Sequence, residues 1–175
     1  MREKSKAHKI ALSGVFIGLA AIFGTFSIPI GIAKVSPIQH FVNVVSAITL
    51  GPTYAVAIAF IASMLRNILG TGSLLAFPGS MVGALLAGIL YKKINKIFIA
   101  TIGEIVGTGI LGALLAYPIA SMFMGKEGAI FMFVSPFIMS CTAGAIIGYF
   151  FLKIPIIEKT LINNEFDSNK NVHQM

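Results

Sequence analysis

Glu104 is the only acid inside an apolar stretch of this chain, and Thr101 and Thr108 share its helix face at i−3 and i+4. A carboxylate at bilayer depth costs about 2.5–3.5 kcal/mol on insertion scales, so by default it marks function. It can floor a pocket, accept from a hydroxyl on a ligand, or stay protonated and structural. A second group lies earlier in the chain. Gln39, Asn43 and Ser46 form an i, i+4, i+7 stripe, with His40 beside them. A third is the tract Arg66–Ser80, which holds a cation, the Asn67 amide, the hydroxyls of Thr71, Ser73 and Ser80, three glycines and Pro78. These types suit recognition of a small polar molecule by hydrogen bonding.

Covalent chemistry is poorly supplied. Neither Gly-x-Ser-x-Gly nor His-Glu-x-x-His occurs, and Cys141 is the only cysteine. A metal site would need more ligands than His40 and Glu104, because His8 and His173 lie in the terminal segments. An intramembrane enzyme using His40 and Glu104 remains the rival class. Each binding candidate also has a plain structural reading. Arg66 can snorkel to the interface, His40 can bond a carbonyl, Asn43 and Asn67 can tie helices together, and the phenylalanines can face lipid or core.

The elements that must position these groups are apolar. The chain is 57% hydrophobic and 11% charged, with mean hydropathy +0.92. Soluble domains carry about 25% charged residues, so an aqueous surface cannot be built. The expected class is an all-α integral membrane protein, a bundle of six transmembrane helices. The spans fall at about 7–26, 37–50, 53–69, 77–91, 97–122 and 129–153, followed by a polar, flexible tail over 154–175. The second is short, and Gly51-Pro52 ends it, with Pro52 suited to the first turn of the next helix.

With the N-terminus inside, ten of the thirteen basic residues face the cytoplasm, and only Lys34, Arg66 and Lys126 face out. The positive-inside rule therefore places both termini in the cytoplasm. That orientation brings Gln39, His40, Asn43, Arg66, Asn67, Thr71, Ser73, Phe77, Tyr117 and Ser135 towards one outer layer. Polar, bendable backbone at that level survives when it is buried in protein or lines a cavity. Glu104 and Thr108 lie nearer the inner half of their span. Small residues recur on the first helix as Ala7-x-x-x-Ala11 and Gly14-x-x-x-Gly18. They permit close approach of another helix, within the bundle or on a partner subunit.

Six short spans, a short second helix, small residues on the first and a polar outer loop resemble the substrate-binding S components of energy-coupling-factor (ECF) vitamin transporters. Three blocks, Ser36–Val44, Arg66–Gly83 and Gly103–Gly109, are similar to the ThiW subgroup, associated with the thiazole precursor of thiamine. The resemblance implies a captor that binds hydroxyethylthiazole from outside and docks on a transmembrane coupling subunit driven by two ATPases. An S component for another vitamin is the alternative within that class. No Gly-x-x-x-x-Gly-Lys-[Ser/Thr] phosphate loop is present, so no cofactor is expected in this chain and ATP is hydrolysed by its partners. Gly107–Gly112 spells Gly-x-Gly-x-x-Gly, but inside a span with no strand before it, which reads as helix packing. The glycines of the Gly70–Ser80 tract, stiffened by Pro78, suggest a lid.

Overall fold

The computed structural model describes residues 5–30, 33–125 and 130–163. Helix α1 (Lys6–Phe23) begins where the Ser5 hydroxyl accepts the His8 amide at 3.2 Å. It leads into a small antiparallel hairpin, β1 (Ile28–Ile30) and β2 (Ala33–Val35), with Ile28 opposite Val35. This hairpin was not expected. Its β-branched residues suit extended backbone, and pairing satisfies main-chain groups next to the apolar layer. Among the described residues every other regular element is helical: α2 (Pro37–Leu50), α3 (Pro52–Ile68), α4 (Ala76–Ile94), α5 (Ile97–Val106), α6 (Ala113–Met124) and α7 (Val134–Leu152).

Local chemistry sets the joints. Pro37 and Pro52 each occupy a first helical turn, where a missing N–H costs nothing. Gly51 between α2 and α3 has φ +88°, a conformation that L side chains resist. Asn95 closes α4 in the left-handed region. Between α5 and α6 the helix continues through a π-helical segment, Gly107–Gly112. Glycines make that segment fit against α4. A Cβ on Gly107 would stand 2.8 Å from the Gly83 Cα, and one on Gly112 would stand 2.5 Å from the Gly79 Cα. The Gly-x-Gly-x-x-Gly run is thus a packing surface, with Gly107, Gly109 and Gly112 all buried.

Helix α2 is the centre of the molecule. Eleven of its fourteen residues are buried, and it packs against α7, α4, α3 and α1. At 1.5 Å per residue it spans about 21 Å, less than the hydrocarbon core of about 30 Å. Sheathed by neighbours, it does not have to match the lipid.

Polarity is inverted relative to a soluble protein. Asn43, Ser46, Thr49, Ser63, Glu104 and Thr108 are wholly buried, whereas Ile10, Ile22, Phe98, Ile110, Leu115, Ile147 and Phe150 are exposed. An outward apolar surface of this extent needs an apolar solvent. Among the described residues, three helices, Lys6–Phe23, Ile97–Phe123 and Phe131–Leu152, are long and apolar enough to cross a membrane, and Pro52–Ile68 is a shorter apolar helix. The chain is a multi-pass membrane protein.

The segment after α7 departs from the flexible tail expected from residue 154. Pro155–Ile157 forms a helical turn that continues as a π turn over Glu158–Asn163. Ile162 anchors it, 7% exposed and part of the same apolar cluster as Val44 and Leu152. The rest of that tail, and Lys126, lie outside the described residues.

Candidate functional site

The polar stripe of α2 points inward because α7 holds it there. Gly144 lies against the start of α2: a Cβ at that position would run into the Pro37 carbonyl and come within 2.9 Å of the His40 Cβ. One turn earlier on α7, the Ser140 hydroxyl accepts the Ser36 amide at 2.8 Å. His40 and Asn43 then face Glu104 from α5.

Glu104 Oε1 collects three neighbours. His40 Nδ1 lies 2.8 Å away, Asn43 Nδ2 donates at 2.9 Å and the Thr108 hydroxyl at 3.0 Å. Asn43 also donates to the Ser80 carbonyl at 3.1 Å, and the single Thr108 hydroxyl proton is shared between Glu104 and the Gly79 carbonyl, which also lies 3.0 Å away. Those two carbonyls belong to the first turn and a half of α4, so the network joins α2, α4, α5 and the π segment. Several bonds converging on one buried oxygen hold the Glu104 side chain in a single position. With Nδ1 against Glu104, His40 Nε2 has no hydrogen-bond partner among the described residues, and His40 lines a cavity. Glu104 Oε2 and Asn43 Oδ1 are buried without a partner among the described residues. Gly83 keeps that corner open, since its Cβ would fall onto Thr108 Oγ1 and lie 2.6 Å from Glu104 Oε2.

Arg66 does not snorkel. It is 3% exposed, and its Nη1 donates to Gln39 Oε1 at 3.0 Å and its Nη2 to the Gly24 carbonyl at 3.1 Å. Gly24 caps α1, and its carbonyl end of the helix dipole favours a cation. The guanidinium therefore couples α3 to both α1 and α2. It makes no ion pair with Glu104 among the described residues.

Between these groups lies a small cleft, with about 40 Å³ of space that a water-sized molecule can enter and about 500 Å³ in all when the part open to the outside is counted. Its polar wall includes Ser36, Gln39, His40, Arg66, Ser73, Ser80, Thr108 and Ser140. Its apolar wall is Leu75, Ala76, Pro136 and Phe137. An apolar hollow with a few placed polar groups is the usual form of a small-molecule site.

The sequence candidates divide in three. Gln39, His40, Arg66, Ser73 and Thr108 line the cavity, with Asn43 and Glu104 wholly buried in the network that His40 and Thr108 join. Asn67 and Thr71 instead brace the connector: Asn67 donates to the Ser63 and Ser73 carbonyls, and Thr71 to the Arg66 carbonyl. Phe77, Tyr117 and Ser135 stand elsewhere. Phe77 packs on Phe60 with ring centroids 5.5 Å apart, Tyr117 joins an apolar cluster with Phe133, and Ser135 is exposed. The aromatic face of the cavity comes from Phe137, which sequence reasoning missed along with Ser36, Leu75, Pro136 and Ser140. Ser140 carries a signal in the sequence, the small-residue spacing Ser140-x-x-x-Gly144, but that spacing points to helix packing and not to a cavity.

The tract expected to be a lid is shorter than expected. Phe77, Pro78, Gly79 and Ser80 are the start of α4, leaving a connector of 69–75. Pro78 sits in the first turn, where it breaks no helical bond. The connector is pinned at 2.9 and 2.8 Å by the Thr71 and Gly72 amides on the Arg66 carbonyl, and Leu75 is fully buried.

On α1, Ala7, Ala11 and Gly14 are exposed and Gly18 is half-buried; a Cβ added to either glycine would meet nothing within 4 Å. These small residues are not spent on packing inside this chain.

A family model described as thiamine-precursor transporter protein (ThiW) matches residues 10–158. No curated protein and no solved structure matches the chain.

Proposed function

The chain belongs to the ThiW family of thiamine-precursor transporters, a transporter family and not an enzyme family, and from that premise we propose that it is the substrate-capture subunit of an ECF-type importer. The ligand is a thiazole precursor of the hydroxyethylthiazole kind. The observation that carries this reading is the cavity lined by Phe137, His40 and Thr108, the last two held from behind by the buried Glu104 and Asn43. A flat heteroaromatic ring fits an apolar face, and one hydroxyl and one ring nitrogen match a few fixed polar groups. His40, held in place by Glu104 behind it, thus orients a ligand rather than performing a reaction. Gln39, Arg66 and Ser73 complete the wall, and Asn67 and Thr71 hold the connector beside it.

Six helical passes carry the site, with α2 and α4 shielded by their neighbours and α5, the π segment and α6 counting as one pass. Both termini face the cytoplasm. Cysteine labelling in a Cys141→Ser background tests this: a cysteine at Lys93 labelled only from outside would invert it.

Motive force comes from partners. The exposed small residues Ala7, Ala11 and Gly14, with Gly18, form the face on which a transmembrane coupling subunit packs, and two ATPases act through that subunit. Reconstituted vesicles are the test. Thiazole uptake should require ATP and the coupling subunits; uptake by this chain alone would remove the capture-subunit reading.

A further inference from the structure

Arg66 brings a positive charge into the interior, and no described carboxylate pairs with it. Its partners are two neutral oxygens, the Gln39 side-chain carbonyl and the Gly24 main-chain carbonyl. The end of the α1 dipole eases the charge without cancelling it. Beside it, Gln39 Nε2 and Ser36 Oγ are buried and have no partner among the described residues, and the same holds for Arg66 Nε. All three residues line the one cavity. Folded proteins seldom leave several buried polar groups unanswered, and a buried charge is normally paired.

Glu104 does not answer this demand. It is wholly buried, its Oε1 is already engaged, and His40 and Thr108 line the cavity where it does not. The cavity therefore has a cationic, donor-rich end and an apolar face. Resting on the reading of this cavity as a thiazole site, we infer that Arg66, Gln39 and Ser36 receive an anionic acceptor group on the ligand's side arm, a carboxylate or a phosphomonoester, while the ring lies against Phe137. Specificity between charged and neutral forms of the precursor is then set at Arg66.

The test is a titration of the purified full-length chain with three probes sharing one ring: hydroxyethyl-methylthiazole, its phosphomonoester and methylthiazole acetate. At least one anion should bind about tenfold or more tightly than the alcohol, the scale of a charge-assisted hydrogen bond. Which anion gains distinguishes phosphate from carboxylate. Arg66→Gln should abolish the gap. Because that change also loosens the clamp on Gly24, Ser36→Ala provides a second reading: its hydroxyl has no partner to lose among the described residues, and the gap should narrow with folding intact. Equal affinity for all three probes overturns the inference and leaves the thiazole reading standing. A gap that survives both substitutions also overturns it. Absence of binding by every probe overturns both.

Discussion

Glu104 Oε1 lies 2.8 Å from His40 Nδ1, and the two residues are separated by 64 positions in the chain. The contact joins the first turn of α2 to α5, one turn before the π segment. It turns an intramembrane carboxylate, costly alone, into the hub of a hydrogen-bonded group.

Removing hub partners should separate binding from stability. His40 lines the cavity, so His40→Ala should weaken thiazole binding about tenfold or more, the scale of a lost hydrogen bond to a charged group. Asn43 is wholly buried and bonds both Glu104 and Ser80, so Asn43→Ala should also destabilise the fold by about 1–3 kcal/mol. Calorimetry and thermal unfolding in detergent read the two effects. Unchanged affinity in His40→Ala would take that ring off the binding wall.

Gly83 is the sharpest steric probe. A methyl group there meets Thr108 Oγ1 and Glu104 Oε2, and overpacking costs about 1–3 kcal/mol. Gly83→Ala should lower the melting temperature and reduce thiazole affinity together. Wild-type affinity in that variant would mean that the carboxylate's position does not matter to the ligand.

Gly14 tests the other face. A side chain added there meets open space, so Gly14→Trp should fold and bind ligand normally. Uptake with the partner subunits should fail, because a close helix contact is blocked. Normal uptake would move the docking face away from α1.

Much of this arrangement follows from local rules. The Gly51-Pro52 break between α2 and α3 is readable from backbone chemistry alone, and the Gln39–Asn43–Ser46 stripe from helical period. Glu104 with Thr108 announces itself by cost. The remainder depends on contacts distant in sequence. Nothing near Arg66 in the chain signals Gly24 as its partner, 42 residues away. Phe137 shows no pattern distinguishing it from other phenylalanines, and only the packing of α7 on α2 brings it to the cavity. Phe77 failed for a related reason: α4 starts at Ala76 and carries its ring towards Phe60. The β hairpin carried β-branched residues but too few to outweigh the helical surroundings.

The connector between α3 and α4 bears on how the ligand is retained. Ser73 is engaged through its carbonyl and its hydroxyl, but Leu74 is 44% exposed and suits a spin label. If the connector closes over bound ligand, a label at Leu74 should lose mobility when saturating thiazole is added. An identical spectrum with and without ligand would make it a fixed strut.

The central claim is that the cavity lined by His40, Thr108 and Phe137, with Glu104 buried behind it, holds a thiazole precursor of thiamine. Calorimetric titration of the purified chain with hydroxyethylthiazole, a hydroxymethylpyrimidine, thiamine and riboflavin tests it most directly. The account predicts saturable one-to-one binding of the thiazole, at least about tenfold tighter than any other, and its loss in Glu104→Ala. Preference for the pyrimidine, thiamine or riboflavin, or thiazole binding that survives Glu104→Ala in a folded protein, would contradict it.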